Sequence, residues 1–124
     1  MSKLPLGHSL SEIVQRRAAR DGNFGLALLE EAGEMMLAGE LPAARRLIRD
    51  VIKSSMGYPE LSRRTGTPEK SLVRMFGPAG NPTAANVASV FKELQRDARV
   101  RLCVQAETSV TSRAKGRKRR AAAT

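Results

Sequence analysis

The stretch GYPELSRRTGTPEKSLVRMFGPAGNPT, residues 57–83, places two short helical patterns on either side of a Thr-Gly-Thr-Pro sequence. Gly66 can take the positive φ that a sharp turn between two helices requires. Thr67 is predicted to cap the second helix, with Pro68 fixing φ at its first position. Glu69 then falls in the first turn, where the helix dipole favours a negative charge. The stretch therefore predicts two short helices joined by a tight corner.

The second helix of this pair is predicted to have one apolar face and one basic face. Its inward residues follow the i, i+3, i+4 spacing: Leu72, Met75 and Phe76. Its outward residues are Glu69, Lys70, Ser71, Val73 and Arg74. Two short helices around a glycine-bearing turn match the helix-turn-helix, which places its second helix in the major groove of DNA. The alternative is an ordinary corner between two helices whose basic face is simply solvated.

Four side chains on the outward face have the chemistry to read bases. Arg74 can pair with O6 and N7 of guanine, and Lys70 can donate to guanine or to phosphate. Ser71 can bond to donors or acceptors on base edges, and Glu69 can accept from the amine of cytosine. These four residues are the predicted base-reading set.

The loop GPAGNPT, residues 77–83, is interpreted as a turn. No Lys-Ser/Thr pair follows its second glycine, so it lacks the pattern of a phosphate-binding P-loop. Asn81 or the helix N-terminus at Thr83 is expected to contact DNA phosphate, and Thr67 is expected to do the same at the start of the second helix of the corner.

Helical patterns also flank this region. They run from the capping-box residue Ser9 to Arg20, from Asn23 to Gly39, from Leu41 to Ser54, and onward from Thr83. Residues 100–104 instead alternate apolar and polar, which is typical of a half-buried strand. A lone strand needs a partner, so we expect it to form a dimer contact with a second subunit.

The chain has 124 residues, a formal charge of +10 and few aromatic residues, 3 %. Its length fits one small domain, and its composition favours packed helices. The prediction is an all-α fold: a five-helix bundle with a helix-turn-helix over residues 23–104, an N-terminal helix or arm over 1–22, and a disordered basic tail over 105–124. No continuous apolar run could span a membrane.

The tail gathers much of the positive charge. From residue 105 onward, six cations stand against one acid. They are Arg113, Lys115, Arg117, Lys118, Arg119 and Arg120. A basic body with a basic tail favours nucleic acid as the partner, although a merely basic protein remains an alternative. The tail is interpreted as an electrostatic arm along DNA, with a nuclear localisation signal as the alternative.

The remaining signals give no support for catalysis or metal binding. His8 and Cys103 are each the only residue of their kind, so no metal site, Cys/His catalysis or cofactor is expected. A single cysteine and the lack of a secretory signal predict a cytoplasmic protein. Glu30 and Glu34 are interpreted as a solvated face, or as an acidic surface that meets a basic protein.

The run LSRRTGTPEKSLVRMFGPAGNPT, followed by NVASVFKELQ, resembles the Xre-type helix-turn-helix of small prokaryotic regulators. It is similar in particular to HigA-like antitoxins, also called addiction-module antidote proteins. The resemblance covers about residues 24–104. It implies a homodimer that binds its own operator, represses its own operon and neutralises a toxin, often an mRNA-cleaving protein. It places the base-reading positions on Glu69, Lys70, Ser71 and Arg74, and a phosphate-facing position on Tyr58.

The sequence thus predicts a DNA-binding transcriptional regulator, an antitoxin associated with the nucleoid. Two alternatives stay open. One is a protein-interaction module that masks a toxin with little role for DNA. The other is a nucleic-acid binder that acts without sequence preference through its tail.

Overall fold

A computed structural model describes residues 9–108, and this part of the chain contains six α-helices and no strand. The helices are α1 (Leu10–Arg20), α2 (Gly22–Leu37), α3 (Leu41–Ser54), α4 (Gly57–Thr65), α5 (Glu69–Met75) and α6 (Ala84–Ala98). The all-α prediction is confirmed. The predicted count of five helices is not, because α1 packs with the others as a sixth.

The first three helices pack on one another, and α4 joins them to the rest of the fold. α1 and α2 both pack against α3, while α4 contacts α3, α5 and α6. One apolar core runs through these contacts. The largest side chains that are fully buried in it are Phe76, Leu29, Ile48, Ile52, Leu61, Leu72, Leu94 and Val90. Apart from Phe76, these side chains are aliphatic, as the shortage of aromatic residues in the sequence predicts.

α1 is attached to α3 by a polar cluster as well as by apolar packing. The carboxylate of Asp50, on α3, is buried and accepts hydrogen bonds from the Ser11 hydroxyl and, at 2.7 Å, from Gln15 Nε2. Arg49 Nη2 donates to Ser11 Oγ at 3.2 Å and its Nε lies 3.9 Å from Asp50 Oδ1. Ser9 forms the predicted capping box at the start of α1, with Glu12 as its partner.

The strand predicted for residues 100–104 does not form within the described chain. The segment instead lies against the helices, with Leu102 half-buried and in contact range of Gly33 on α2. Its backbone bonds to α6: Val100 N–H donates to Gln95 O at 3.1 Å, and Leu102 N–H donates to Gln95 Oε1 at 2.7 Å. Acceptors on α6 thus take the place of those that a strand partner would supply. Only the first two apolar residues of the alternating pattern, Val100 and Leu102, are half-buried, whereas Val104 is 80 % exposed.

No helix among residues 9–108 has the length and apolar character needed to cross a membrane.

Candidate nucleic-acid interface

The corner between α4 and α5 is held by several hydrogen bonds in a few residues. Gly66 has φ 78°, the left-handed conformation in which a side chain would be strained, and its N–H donates to Ser62 O at 2.9 Å. The Ser62 hydroxyl donates to Thr67 O at 2.6 Å, and Thr67 N–H donates to Thr65 Oγ1 at 3.2 Å. The predicted turn at Gly66 is confirmed, and side chains of α4 fix the direction in which the chain leaves it.

The predicted cap of α5 is wrong by one residue. The helix begins at Glu69, Pro68 is its N-cap, and no side chain of the described residues caps it. Leu72 N–H donates to Pro68 O, which is the first hydrogen bond of the helix, so Thr67 stands one position too early to cap. The extended ψ of Pro68, 140°, separates Thr67 from the helix. Thr67 is half-buried, with its backbone oxygen already taken by Ser62.

α5 divides its side chains between the core and the solvent. Leu72 and Phe76 are fully buried and Met75 is partly buried against the core. The exposed side holds Glu69, Lys70, Val73 and Arg74, with Ser71 half-buried beside them. The inward face is as the spacing predicts.

Lys70 and Arg74 are the two cations of this exposed side, one helical turn apart. Within residues 9–108 neither makes a hydrogen bond or an ion pair. Their charges are therefore not neutralised by the protein and are available to a polyanion. Val73 lies between them in sequence and is 46 % exposed, an apolar surface next to the two cations.

Tyr58, at the start of α4, does not fit its predicted role as a phosphate contact. The residue is 8 % exposed, and its hydroxyl is buried with no hydrogen-bond partner among residues 9–108. Burial raises the pKa of Tyr58 to about 12, partly offset by the positive charge of Arg49. The apolar ring packs in the core and carries the hydroxyl inside with it, so phosphate cannot reach this oxygen in the fold described.

The loop after α5 presents the other predicted backbone contacts. Asn81 is exposed. Thr83 is the N-cap of α6, where its Oγ1 accepts from Asn86 N–H at 3.1 Å, as the sequence predicts. Its hydroxyl oxygen is thus engaged within the protein, while the exposed position of the residue leaves the helix start open to solvent.

Sequence reasoning missed a group of ion pairs that joins α4 to α6. Glu60 accepts from Arg63 Nε at 3.0 Å and from Arg64 Nε at 2.8 Å. Arg64 Nη2 also lies 3.6 Å from Asp97 Oδ1 on α6. Hydrogen bonds from Arg63 and then Arg64 lower the pKa of Glu60 to about 2. Two of the cations next to the corner are therefore neutralised, unlike Lys70 and Arg74.

A mostly apolar groove of about 830 Å³ lies elsewhere, between α2, α6 and residues 100–104. Glu30 and Glu34 line it together with apolar side chains such as Leu37 and Phe91. In the part of the chain that the structure describes, no three His, Cys, Asp or Glu side chains are grouped so as to hold a metal ion. The six cations predicted to form an electrostatic arm, residues 113–120, lie outside the described residues.

Comparison with known proteins adds no relative: no family model, no curated protein and no solved structure matches this chain.

Proposed function

We propose that α4, the Gly66 turn and α5 form a helix-turn-helix, and that the chain is a sequence-specific DNA-binding regulator. α5 enters the major groove, with Lys70 and Arg74 pointing at base edges and Glu69 and Ser71 adding readout. One observation carries the proposal: two exposed cations, one turn apart on a short helix, have no partner among residues 9–108.

The electrostatics of the neighbouring helix support the same choice. Arg63 and Arg64 are paired with Glu60, so the unpaired charge next to the corner is concentrated on α5. Cations that are not already neutralised bind the phosphate backbone more strongly, because their binding releases counterions from the DNA. The formal charge of +10 adds a long-range attraction of the whole chain toward such a partner.

The narrower proposal is an antitoxin that binds its operator as a homodimer, represses its own operon and neutralises a toxin. It rests on the resemblance of residues 24–104 to HigA-like antitoxins. A protein-interaction role is the second candidate, and the acid-lined apolar groove between α2 and α6 favours it.

Selection of duplexes from a random DNA pool, followed by affinity measurement, tests the proposal. Arg74→Ala is expected to weaken binding to the selected sequence by about 1–3 kcal/mol and to relax one base-pair position. Lys70→Ala is expected to weaken binding as well. Arg20→Ala, which removes an exposed cation from α1, is the charge-matched control and should leave the sequence preference unchanged.

A second variant separates this function from binding through the tail. Replacing the six tail cations with glutamine should lower affinity for all duplexes alike and reduce the salt dependence, with the sequence preference kept. Selection that yields no preferred sequence, together with loss of all binding in the tail variant, would contradict the proposal. Co-purification with the product of an adjacent short reading frame tests the toxin-masking alternative.

A further inference from the structure

α5 is too short to hold its own orientation. It has seven residues and, within residues 9–108, no side-chain cap at its start. Isolated helices shorter than about 12–15 residues are marginal in water, so tertiary contacts must fix this one. Leu72 and Phe76 anchor its inner face in the core and Met75 packs partly buried beside them, but these contacts hold one face and leave the C-terminal end of the helix to other contacts.

The loop that follows folds back over that C-terminal end. Gly77 N–H donates to Arg74 O at 3.1 Å, and Gly80 N–H donates to Gly77 O at 3.0 Å. A Cβ atom at Gly80 would overlap the backbone oxygens of Met75 and Arg74. The loop therefore lies directly on the last carbonyl groups of α5, close enough that only a glycine fits.

Arg45 ties this loop to the core of the protein. Its Nη2 donates to Pro78 O at 2.9 Å and its Nη1 donates to Gly80 O at 3.2 Å. Its own helix, α3, is rigidly placed, since Ala44 is 0 % and Ile48 1 % exposed. The planar fork of a guanidinium suits two acceptors at fixed positions, which the point charge of a lysine would hold less well.

The next residue along α3 provides a contrast. Arg46 is exposed and, within residues 9–108, makes no hydrogen bond or ion pair. Both arginines are cations in the sequence. The structure shows that Arg45 binds the loop and that Arg46 faces solvent.

We propose that Arg45 is a positioning residue for α5. By holding the carbonyl groups of Pro78 and Gly80, it fixes the loop on the end of α5 and so sets where Lys70 and Arg74 point. Its role toward DNA rests on the proposed function, but the mechanical role does not. Arg45 acts through the loop, because each of its two terminal nitrogens donates to a loop carbonyl group.

Hydrogen exchange of the full chain without DNA tests the mechanical role. Arg45→Ala should speed exchange of the amides of residues 72–80 by about tenfold or more, while amides in α2 and α3 keep their rates. Arg46→Ala, the matched control, should change neither group, and Arg45→Lys should fall between Arg45→Ala and the wild type. Unchanged exchange in Arg45→Ala, or an equal rise in every helix, would overturn the proposal.

Binding to a selected duplex then tests the consequence for recognition. Arg45→Ala should lower affinity for the preferred sequence about tenfold, because α5 then occupies its binding orientation only part of the time, with an unchanged dependence on salt. A decrease of the log–log salt slope by about 0.9 would instead identify Arg45 as a phosphate contact and overturn its assignment. If wild-type protein selects no sequence, the proposed function fails, while the exchange result still decides the role of Arg45.

Discussion

Among single residues, Tyr58 has the least expected environment. Its hydroxyl is buried, and no group in the described part of the chain forms a hydrogen bond with it. An unsatisfied buried polar group costs about 1–3 kcal/mol relative to one that is solvated or bonded. The aromatic ring still contributes apolar burial beneath α4, which offsets that cost.

Tyr58→Phe removes the hydroxyl and keeps the ring. We expect the free energy of unfolding to rise by about 1 kcal/mol in urea denaturation, because the unsatisfied oxygen is gone. Under the proposed function, DNA affinity should not change, since this oxygen lies inside the protein. Lower stability, or a loss of binding as large as that of Lys70→Ala, would mean that the hydroxyl has a partner that matters.

Tyr58→Phe should also change how the stability of the protein depends on pH above about pH 10. Burial raises the pKa of Tyr58 from 10.0 to about 12, so the unfolded chain loses this proton at a lower pH than the folded one. The wild type should therefore lose stability as pH rises from about 10 toward 12, and Tyr58→Phe should lose less over that window.

The sequence shows that Tyr58 begins a helix, but it does not show the direction of the ring. The resemblance to a family predicts an outward position there, whereas burial depends on how α4 meets α3, which no local pattern encodes. Thr67 is a similar case at shorter range. A Thr-Pro pair before a helix fits a cap at either residue, and the extended conformation of Pro68 decides between them.

At the scale of helices, α4 is stabilised by charge on its exposed side. Glu60 bonds to Arg63 and Arg64, and Arg64 reaches Asp97 on α6. The pairs within α4 have i, i+3 and i, i+4 spacing and could be read from the sequence. The pair with Asp97 could not, because it depends on how two helices meet that are separated along the chain by α5.

Glu60→Gln should remove a contribution to the free energy of unfolding that depends on pH. The arginines lower the pKa of Glu60 to about 2, below its value in an unfolded chain of about 4.3, so folding favours the charged form. This contribution is complete above about pH 5 and is lost as pH falls toward 2. Melting curves should separate the two proteins at pH 6 and bring them together near pH 2.

High salt and a control variant check the cause. The ion pairs are exposed to solvent, so 1 M salt, where the screening length is about 3 Å, should shrink the difference at pH 6. Glu31→Gln removes an exposed carboxylate that makes no ion pair among the described residues. An equal effect of both substitutions would show that net charge, not the bonds to Arg63 and Arg64, is responsible.

At the scale of the molecule, the buried carboxylate of Asp50 joins α1 to the rest of the fold. It accepts hydrogen bonds from Ser11 and Gln15 across the α1–α3 interface, beside Arg49. Hydrophobic spacing predicts most of the helices and much of the core. It assigns no role to Asp50, since the partners lie 35 and 39 positions away in the chain.

Asp50→Ala should lower the free energy of unfolding by about 2 kcal/mol, because Ser11 and Gln15 lose a charged acceptor. Urea denaturation followed by circular dichroism measures the change. Glu31→Ala, on the exposed side of α2, should stay within about 0.5 kcal/mol of the wild type. Equal stability of the two variants would show that apolar packing alone holds α1.

The stiffness of the Gly66 corner has a consequence for any duplex that meets it. Ser62 and Thr65 hold the turn by hydrogen bonds, and Pro68 locks the backbone that follows. Under the proposed function, a corner that cannot bend requires the DNA duplex to deform in order to fit α5. Base pairs that α5 never touches would then influence affinity through the elastic energy of kinking or widening the groove, so easily deformed pyrimidine–purine steps would be favoured in the binding site.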